Sequence, residues 1–199
     1  MSRLASCTDD LIQRIKETLA NREIKRVSAG PGLTRAGVLI PVFCKDGSYH
    51  CLFTRRTNRV KRHKGEISFP GGIYDASDKD IVATALREAH EEIGVKPRDV
   101  ELLGALDEIM TMSGFIVSPV VGFIPYPYPF VPSPEEIEEI IILPLAGFFK
   151  EGVLSEEYRT YQDKTEKVSI YQSGGYVIWG ATAKILRQFL ELIPAGGIR

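Results

Sequence analysis

Phe69-Pro70-Gly71-Gly72, followed at a distance by Arg87-Glu88-Ala89-His90-Glu91-Glu92-Ile93-Gly94-Val95, is the stretch whose reading decides how this chain folds. The pattern predicts a glycine loop and then a helix from about Asp80 to Ile93. At about 100° per residue, Glu91 and Glu92 fall within roughly 60° of Glu88, on either side of it. Val82, Leu86, Ala89 and Ile93 centre on a direction roughly 130° from Glu88. One face is therefore expected to pack on a core and the other to present carboxylates outward. Such carboxylates repel one another, and a hard divalent cation is the cheapest way to hold them together. Oxygen-only ligands suit Mg²⁺ or Mn²⁺ rather than Zn²⁺. Arg87 precedes Glu91 by one helical turn, where it can pair with that carboxylate and hold its rotamer. Gly94 ends the helix. Without their frame, Glu88, Glu91 and Glu92 favour a solvated acidic helix face with ordinary charge pairs one turn apart.

Composition adds bounds. A chain of 199 residues is one domain's worth, enough to bury a sizeable core, and its formal net charge of −1 gives no global reason to expect nucleic acid or a membrane surface. Basic residues are concentrated locally, with Arg55, Arg56, Arg59, Lys61, Arg62 and Lys64 in a run free of acids. Such a run either attracts a polyanion or forms a solvated hairpin loop. Cys7, Cys44 and Cys51 make neither a disulfide framework nor a zinc motif; Cys44 and Cys51 can face each other across a hairpin, with reduced thiols the expectation. There is no secretory signal pattern and no apolar run long enough to span a bilayer, so the expected compartment is the cytoplasm.

Further along the chain, Thr8 to Ala20 reads as an amphipathic helix buried through Leu11, Ile12, Ile15 and Leu19. Val38 to Cys44 and His50 to Thr54 read as strands around a Lys45-Asp46-Gly47-Ser48 turn. Strands are expected near Val100 to Ile109 and Ile116 to Ile124. The proline-dense Tyr126 to Pro134 reads as a loop leading toward the site. A short helix near Leu145 to Lys150 precedes strands at Tyr158 to Gln162, Val168 to Tyr171 and Tyr176 to Ile178, and a helix at Ala181 to Leu192 follows. Trp179 is expected in the core rather than as a stacking platform. His90 points roughly 160° from Glu88, which assigns it to packing or to supporting the ligands rather than to the ligand set itself.

Read from Gly72 to Val95, the segment resembles the Nudix box, G-x5-E-x7-R-E-U-x-E-E-x-G-U, where U is aliphatic. The second half matches if Ala89 is allowed as the small apolar residue. The first half departs, because its acidic position falls on Asp78 with one residue too many before Arg87, and Asp78 receives no role. Leu52-Phe53-Thr54-Arg55-Arg56-Thr57, then Lys61, Gly65 and Phe69-Pro70-Gly71-Gly72, resembles the signature of coenzyme A diphosphatases, L-L-T-x-R-(S/A)-x3-R-x3-G-x3-F-P-G-G. Phe53, Thr57 and Lys61 depart from it. Lys61 matters most, since lysine keeps the charge but loses the bidentate fork. Thr111-Met112-Ser113-Gly114-Phe115, Pro132-Ser133-Pro134-Glu135-Glu136-Ile137 and Ile178-Trp179-Gly180-Ala181-Thr182 extend the likeness over most of the chain.

The resemblance implies an α/β Nudix fold, a mixed β-sheet sandwiched between α-helices. Residues 36–193 would form the domain, residues 1–35 a helix and lead-in packed on it, and residues 194–199 a tail. It implies a hydrolase dependent on Mg²⁺ or Mn²⁺ that cuts coenzyme A or acyl-CoA into 3′,5′-ADP and (acyl-)4′-phosphopantetheine. Glu91, Glu92, Glu88 and the Gly72 carbonyl would hold the metal. Glu88 is either ligand or base, Arg87 supports them, and Glu136 is either a further catalytic carboxylate or a surface acid. Arg55, Arg56, Lys61, Gly65, Phe69 and Gly71 would bind substrate. A small-molecule substrate and a homodimer are the implied partners, with neither nucleic acid nor membrane. The alternatives are a Nudix hydrolase of ADP-ribose, a dinucleotide or capped RNA, and a catalytically silent Nudix-fold binding domain.

Overall fold

The computed structural model describes residue 7 and residues 9–58, 65–161 and 164–193. In chain order the elements are α1 (Asp9–Ala20), β1 (Thr34–Lys45), β2 (Ser48–Arg56), β3 (Ile67–Ser68), β4 (Gly71–Ile73), α2 (Ile81–Ile93), β5 (Glu101–Ala105), β6 (Ile109–Met110), β7 (Phe115–Phe123), β8 (Ile137–Pro144), β9 (Leu154–Tyr161), β10 (Lys164–Ser173), β11 (Tyr176–Trp179) and α3 (Gly180–Glu191). Short 3-10 turns lie at Pro97–Asp99 and Leu145–Phe149.

Asp46 and Gly47, both with positive φ, make the tight turn that joins β1 to β2. The two strands pair only near that turn, from Val42–Cys51 to Lys45–Ser48. Beyond it they part, and the opening is filled by β4 on β1 and β3 on β2. On its other edge β1 runs parallel to β7, while β8 closes the far edge of β2. The result is a mixed sheet with the glycine loop lodged in its middle. A three-stranded antiparallel sheet, β11-β10-β9, stands apart from it.

Leu39, Phe43, Leu52 and Val120 pack with Ala85, Ala89 and Ile93 of α2 on one face of the main sheet. Ile40, Val42, Phe53 and Val121 on the other face meet Leu11, Ile15 and Leu19 of α1 and Leu186 and Phe189 of α3. This is the expected sheet between helices, with α1 on the same core as the rest. No helix among the described residues is long and apolar enough to cross a membrane. Thr8, where the first helix is expected to begin, and the 194–199 tail lie outside the described residues.

The cysteine expectation needs correction. Cys44 sits opposite Tyr49 in the hairpin, and Cys51 opposite Val42, so those two thiols do not face each other. Cys44 instead forms a disulfide with Cys7, ahead of α1. Cys51 is free and buried, and burial pushes its thiol well above the ordinary range.

Candidate active site

The opening between β1 and β2 brings the glycine loop under α2. Phe69 anchors the loop, buried with its ring 4.7 Å from that of Phe53. Pro70 accepts a hydrogen bond from the Leu39 N–H at 2.9 Å. Helix α2 can lie close because Gly37 carries no side chain: a Cβ there would stand 2.5 Å from the Ile81 carbonyl oxygen and 3.0 Å from the Ala85 nitrogen. Asp80 caps the helix by accepting from the Ala83 N–H at 2.9 Å, and Gly94 ends it in the left-handed conformation.

Arg87 organises the exposed side of the site. Its guanidinium donates to both Asp78 oxygens at 2.9 and 3.0 Å, to Glu88 at 2.8 Å, to Glu91 at 3.0 Å and to the Ile73 carbonyl at 3.1 Å. The expected Arg87–Glu91 pair is thus present, within a larger network. Asp78, left without a role by the sequence, is the bidentate partner that fixes Arg87, and it also accepts from the Thr84 hydroxyl at 2.8 Å. Arg87 holds the Asp78 carboxyl well below the usual carboxylate range. Glu88 rests against Gly72, where a Cβ would stand 2.5 Å from its Oε1, and burial raises its pKa in spite of Arg87. Glu91 lies on the rim, its side chain 57% exposed.

Glu92 departs from the expected outward face, because its side chain is only 2% exposed. It accepts from the Gly71 N–H at 3.2 Å and pairs with Arg56 at 3.0 Å. Burial pushes its carboxyl up to about 8; Arg56 and the Gly71 N–H oppose the shift, and Glu88 and Glu136 add to it. Arg56 also reaches Glu136 at 3.5 Å. The loop bearing Glu136 is held by Thr57, whose hydroxyl donates to the Glu135 carbonyl at 3.0 Å and whose N–H donates to the Glu136 carbonyl at 2.8 Å. It is tied to α2 as well, since Ser133 donates to the Glu92 carbonyl and Val131 to that of Ile93. The proline-dense segment therefore leads to the site, as its composition implied.

Glu88, Glu91, Glu92, Glu136, Arg87, Arg56, Gly71 and Gly72 are brought together. Other expected residues are not. Phe69 is core, so it positions the loop and cannot offer its ring to a ligand. Arg55 and Gly65 line a separate cavity, because alternation along β2 turns Arg55 to the opposite face from Arg56. Lys61 lies outside the described residues. His90 is exposed rather than packed, and Trp179, expected in the core, is 37% exposed.

The model of the NUDIX domain matches residues 33–160. The chain belongs to the Nudix hydrolase family. An uncharacterized Nudix hydrolase, NudL, from Salmonella paratyphi B is 37% identical over 156 residues, covering 77% of this chain and 80% of its own. NudL of Salmonella enteritidis is 37% identical over the same length. A MutT/nudix family protein from Enterococcus faecalis superposes with a TM-score of 0.53 at 15% identity, covering 96% of this chain and 71% of that one, a likeness of fold. The chain is accordingly an enzyme acting on diphosphate bonds, and its family generally employs divalent metal ions.

The donor chemistry of this Nudix hydrolase suits such an ion. Its carboxylates are hard oxygen donors, and burial raises the Glu92 carboxyl although Arg56 and the Gly71 N–H oppose the shift. Among the described residues no three acids, histidines or cysteines converge on a common metal position. Arg87 and Arg56 hold the carboxylates instead, within one cleft.

Proposed function

We propose that this Nudix hydrolase cleaves the diphosphate of coenzyme A or acyl-CoA, giving 3′,5′-ADP and 4′-phosphopantetheine or its acylated form. The observation that carries the reading is Arg56. It is the arginine of the coenzyme A diphosphatase signature, and its guanidinium stands at 3.0 Å from Glu92 and 3.5 Å from Glu136, inside the carboxylate cleft. Thr57, a departure from the signature, donates its hydroxyl to the Glu135 carbonyl and so ties β2 to the loop that bears Glu136.

Glu92, Glu91 and Glu88, with the Gly72 carbonyl, would hold Mg²⁺ or Mn²⁺. When bound, the ion neutralises diphosphate charge and lowers the pKa of a coordinated water. Arg87, fixed by Asp78, keeps Glu88 and Glu91 oriented. Glu88 or Glu136 accepts the proton of the attacking water. Arg56, which lies between Glu92 and Glu136, can turn its fork to a phosphate oxygen. A homodimer is the proposed assembly.

Comparing coenzyme A with 3′-dephospho-coenzyme A tests the substrate. A fall in kcat/KM of at least tenfold on removing the 3′-phosphate supports the reading; equal turnover of the two, or turnover of ADP-ribose alone, moves the enzyme to another nucleoside diphosphate derivative.

A further inference from the structure

The small sheet leaves one edge open. Its order is β11-β10-β9, and no strand among the described residues pairs with the outer edge of β9. Strand β9 keeps an unbroken register with β10, from Leu154 opposite Tyr171 to Tyr161 opposite Lys164. Edges of this length are ordinarily blunted by proline, lysine, a bulge or a covering loop. The β9 sequence, LSEEYRTY, has no proline or lysine, and its register shows no bulge. Tyr158 at its middle is 75% exposed, and Leu154 at its start is 41% exposed. Its charges are already matched within the chain: Glu156 pairs with Lys167 and Arg187, and Glu157 lies 3.6 Å from Arg159. None of these groups serves the hydrolytic chemistry.

We propose that β9 pairs antiparallel with β9 of a second copy of this chain, about a two-fold axis at Tyr158, so that the two small sheets become one. The inference rests on the proposed homodimer, to which it gives an interface, and is independent of the substrate. Backbone direction limits the register. The Gln172 N–H donates to the Val153 carbonyl at 2.9 Å, so the odd-numbered residues of β9 turn their peptide groups toward β10. Glu156, Tyr158 and Thr160 turn theirs outward, and only registers that set even residues against even ones build a ladder. The central registers of that kind put the axis at Glu156, Glu157, Tyr158 or Arg159. Charge selects among them. An axis at Glu156, Glu157 or Arg159 sets that residue directly against its own copy, like charge on like. An axis at Tyr158 sets Glu157 of each copy opposite Arg159 of the other, in the positions between hydrogen-bonded pairs where side chains come closest. Tyr158 then meets Tyr158, and Glu156 meets Thr160.

Sedimentation velocity of the full-length protein reads the assembly, over a concentration range of about 1–200 µM because one strand pair is a small interface. Wild type should dimerise. Arg159→Glu replaces both cross-axis pairs with repulsion and should weaken dimerisation on the order of tenfold or more. The exchange Glu157→Arg with Arg159→Glu restores opposite charges across the axis and should bring the dimer back to within about threefold of wild type. That recovery separates pairing from loss of the Arg159 contact with the Trp179 ring, which the exchange does not restore. Tyr158→Cys sets two thiols about 5.5 Å apart at Cα, within disulfide reach, so mild oxidation should give a covalent dimer. Thr160→Cys faces Glu156 instead and should not. A monomer at every concentration overturns both the interface and the homodimer. A dimer unmoved by Arg159→Glu, or not captured through Tyr158→Cys, overturns the interface and leaves the homodimer standing.

Discussion

Replacing Gly72 with alanine puts a methyl group where the Glu88 carboxylate now rests. The backbone itself can accept the change, because Gly72 is not among the positive-φ glycines. The new Cβ would stand 2.3 Å from the Glu88 carboxyl carbon and 2.4 Å from its Oε2, against the 3.4 Å at which ordinary contact begins, so the carboxylate must retreat by about 1.1 Å. The group that has to move is the tip of a flexible side chain, and the fold loses little by it. The chemistry loses more, since a displacement of about 1 Å costs on the order of 100-fold in rate, or about 2.7 kcal/mol of barrier. Steady-state hydrolysis at saturating Mg²⁺ should show kcat down about 100-fold, with KM for the diphosphate changed far less and the melting temperature close to wild type. A Gly72→Ala enzyme within about threefold of wild-type kcat would refute the assignment of Glu88 to the reacting centre.

Other outcomes follow from the same geometry. Glu92 keeps a proton in the metal-free folded protein up to about pH 8, whereas in the unfolded chain it ionises near 4.5. Its contribution to stability therefore falls as pH rises through that interval. Urea midpoints in EDTA at pH 6 and pH 8.5 should fall more steeply with pH for wild type than for Glu92→Gln. Asp78→Asn frees Arg87 and should lower kcat about 10- to 100-fold with little change in KM, measured by initial rates. Gly37→Ala drives a methyl into the backbone of α2 rather than into a side chain, and chemical denaturation should register a loss of about 1–3 kcal/mol.

The box helix and its caps were legible because apolar spacing, an aspartate and a glycine all mark the same boundaries. The carboxylates were legible as a group, but not their burial. Glu92 is enclosed by Arg56 and the Gly71 N–H, which reach it only because β1 and β2 part to admit the loop. The role of Asp78 was hidden by loop spacing, since the motif counts residues whereas Arg87 needs only a carboxylate within reach of its fork. Strand β8 was missed because Glu135 to Glu139 reads as a solvated acidic run, although Ile137, Ile141 and Leu143 are buried behind it. The basic run reads either as an anion site or as a solvated hairpin loop, and neither reading shows that strand alternation sends Arg55 and Arg56 to different faces. Trp179 and the Cys7–Cys44 bond depend on contacts between segments far apart in sequence, for which local pattern holds no signal.

The central claim is tested most directly by product analysis after the purified enzyme is incubated with coenzyme A and Mg²⁺ or Mn²⁺, with ADP-ribose in parallel and Glu92→Gln as control. Release of 3′,5′-ADP by wild type and not by Glu92→Gln is the expected result. Intact coenzyme A in every tube, or equal release by Glu92→Gln, would contradict the account.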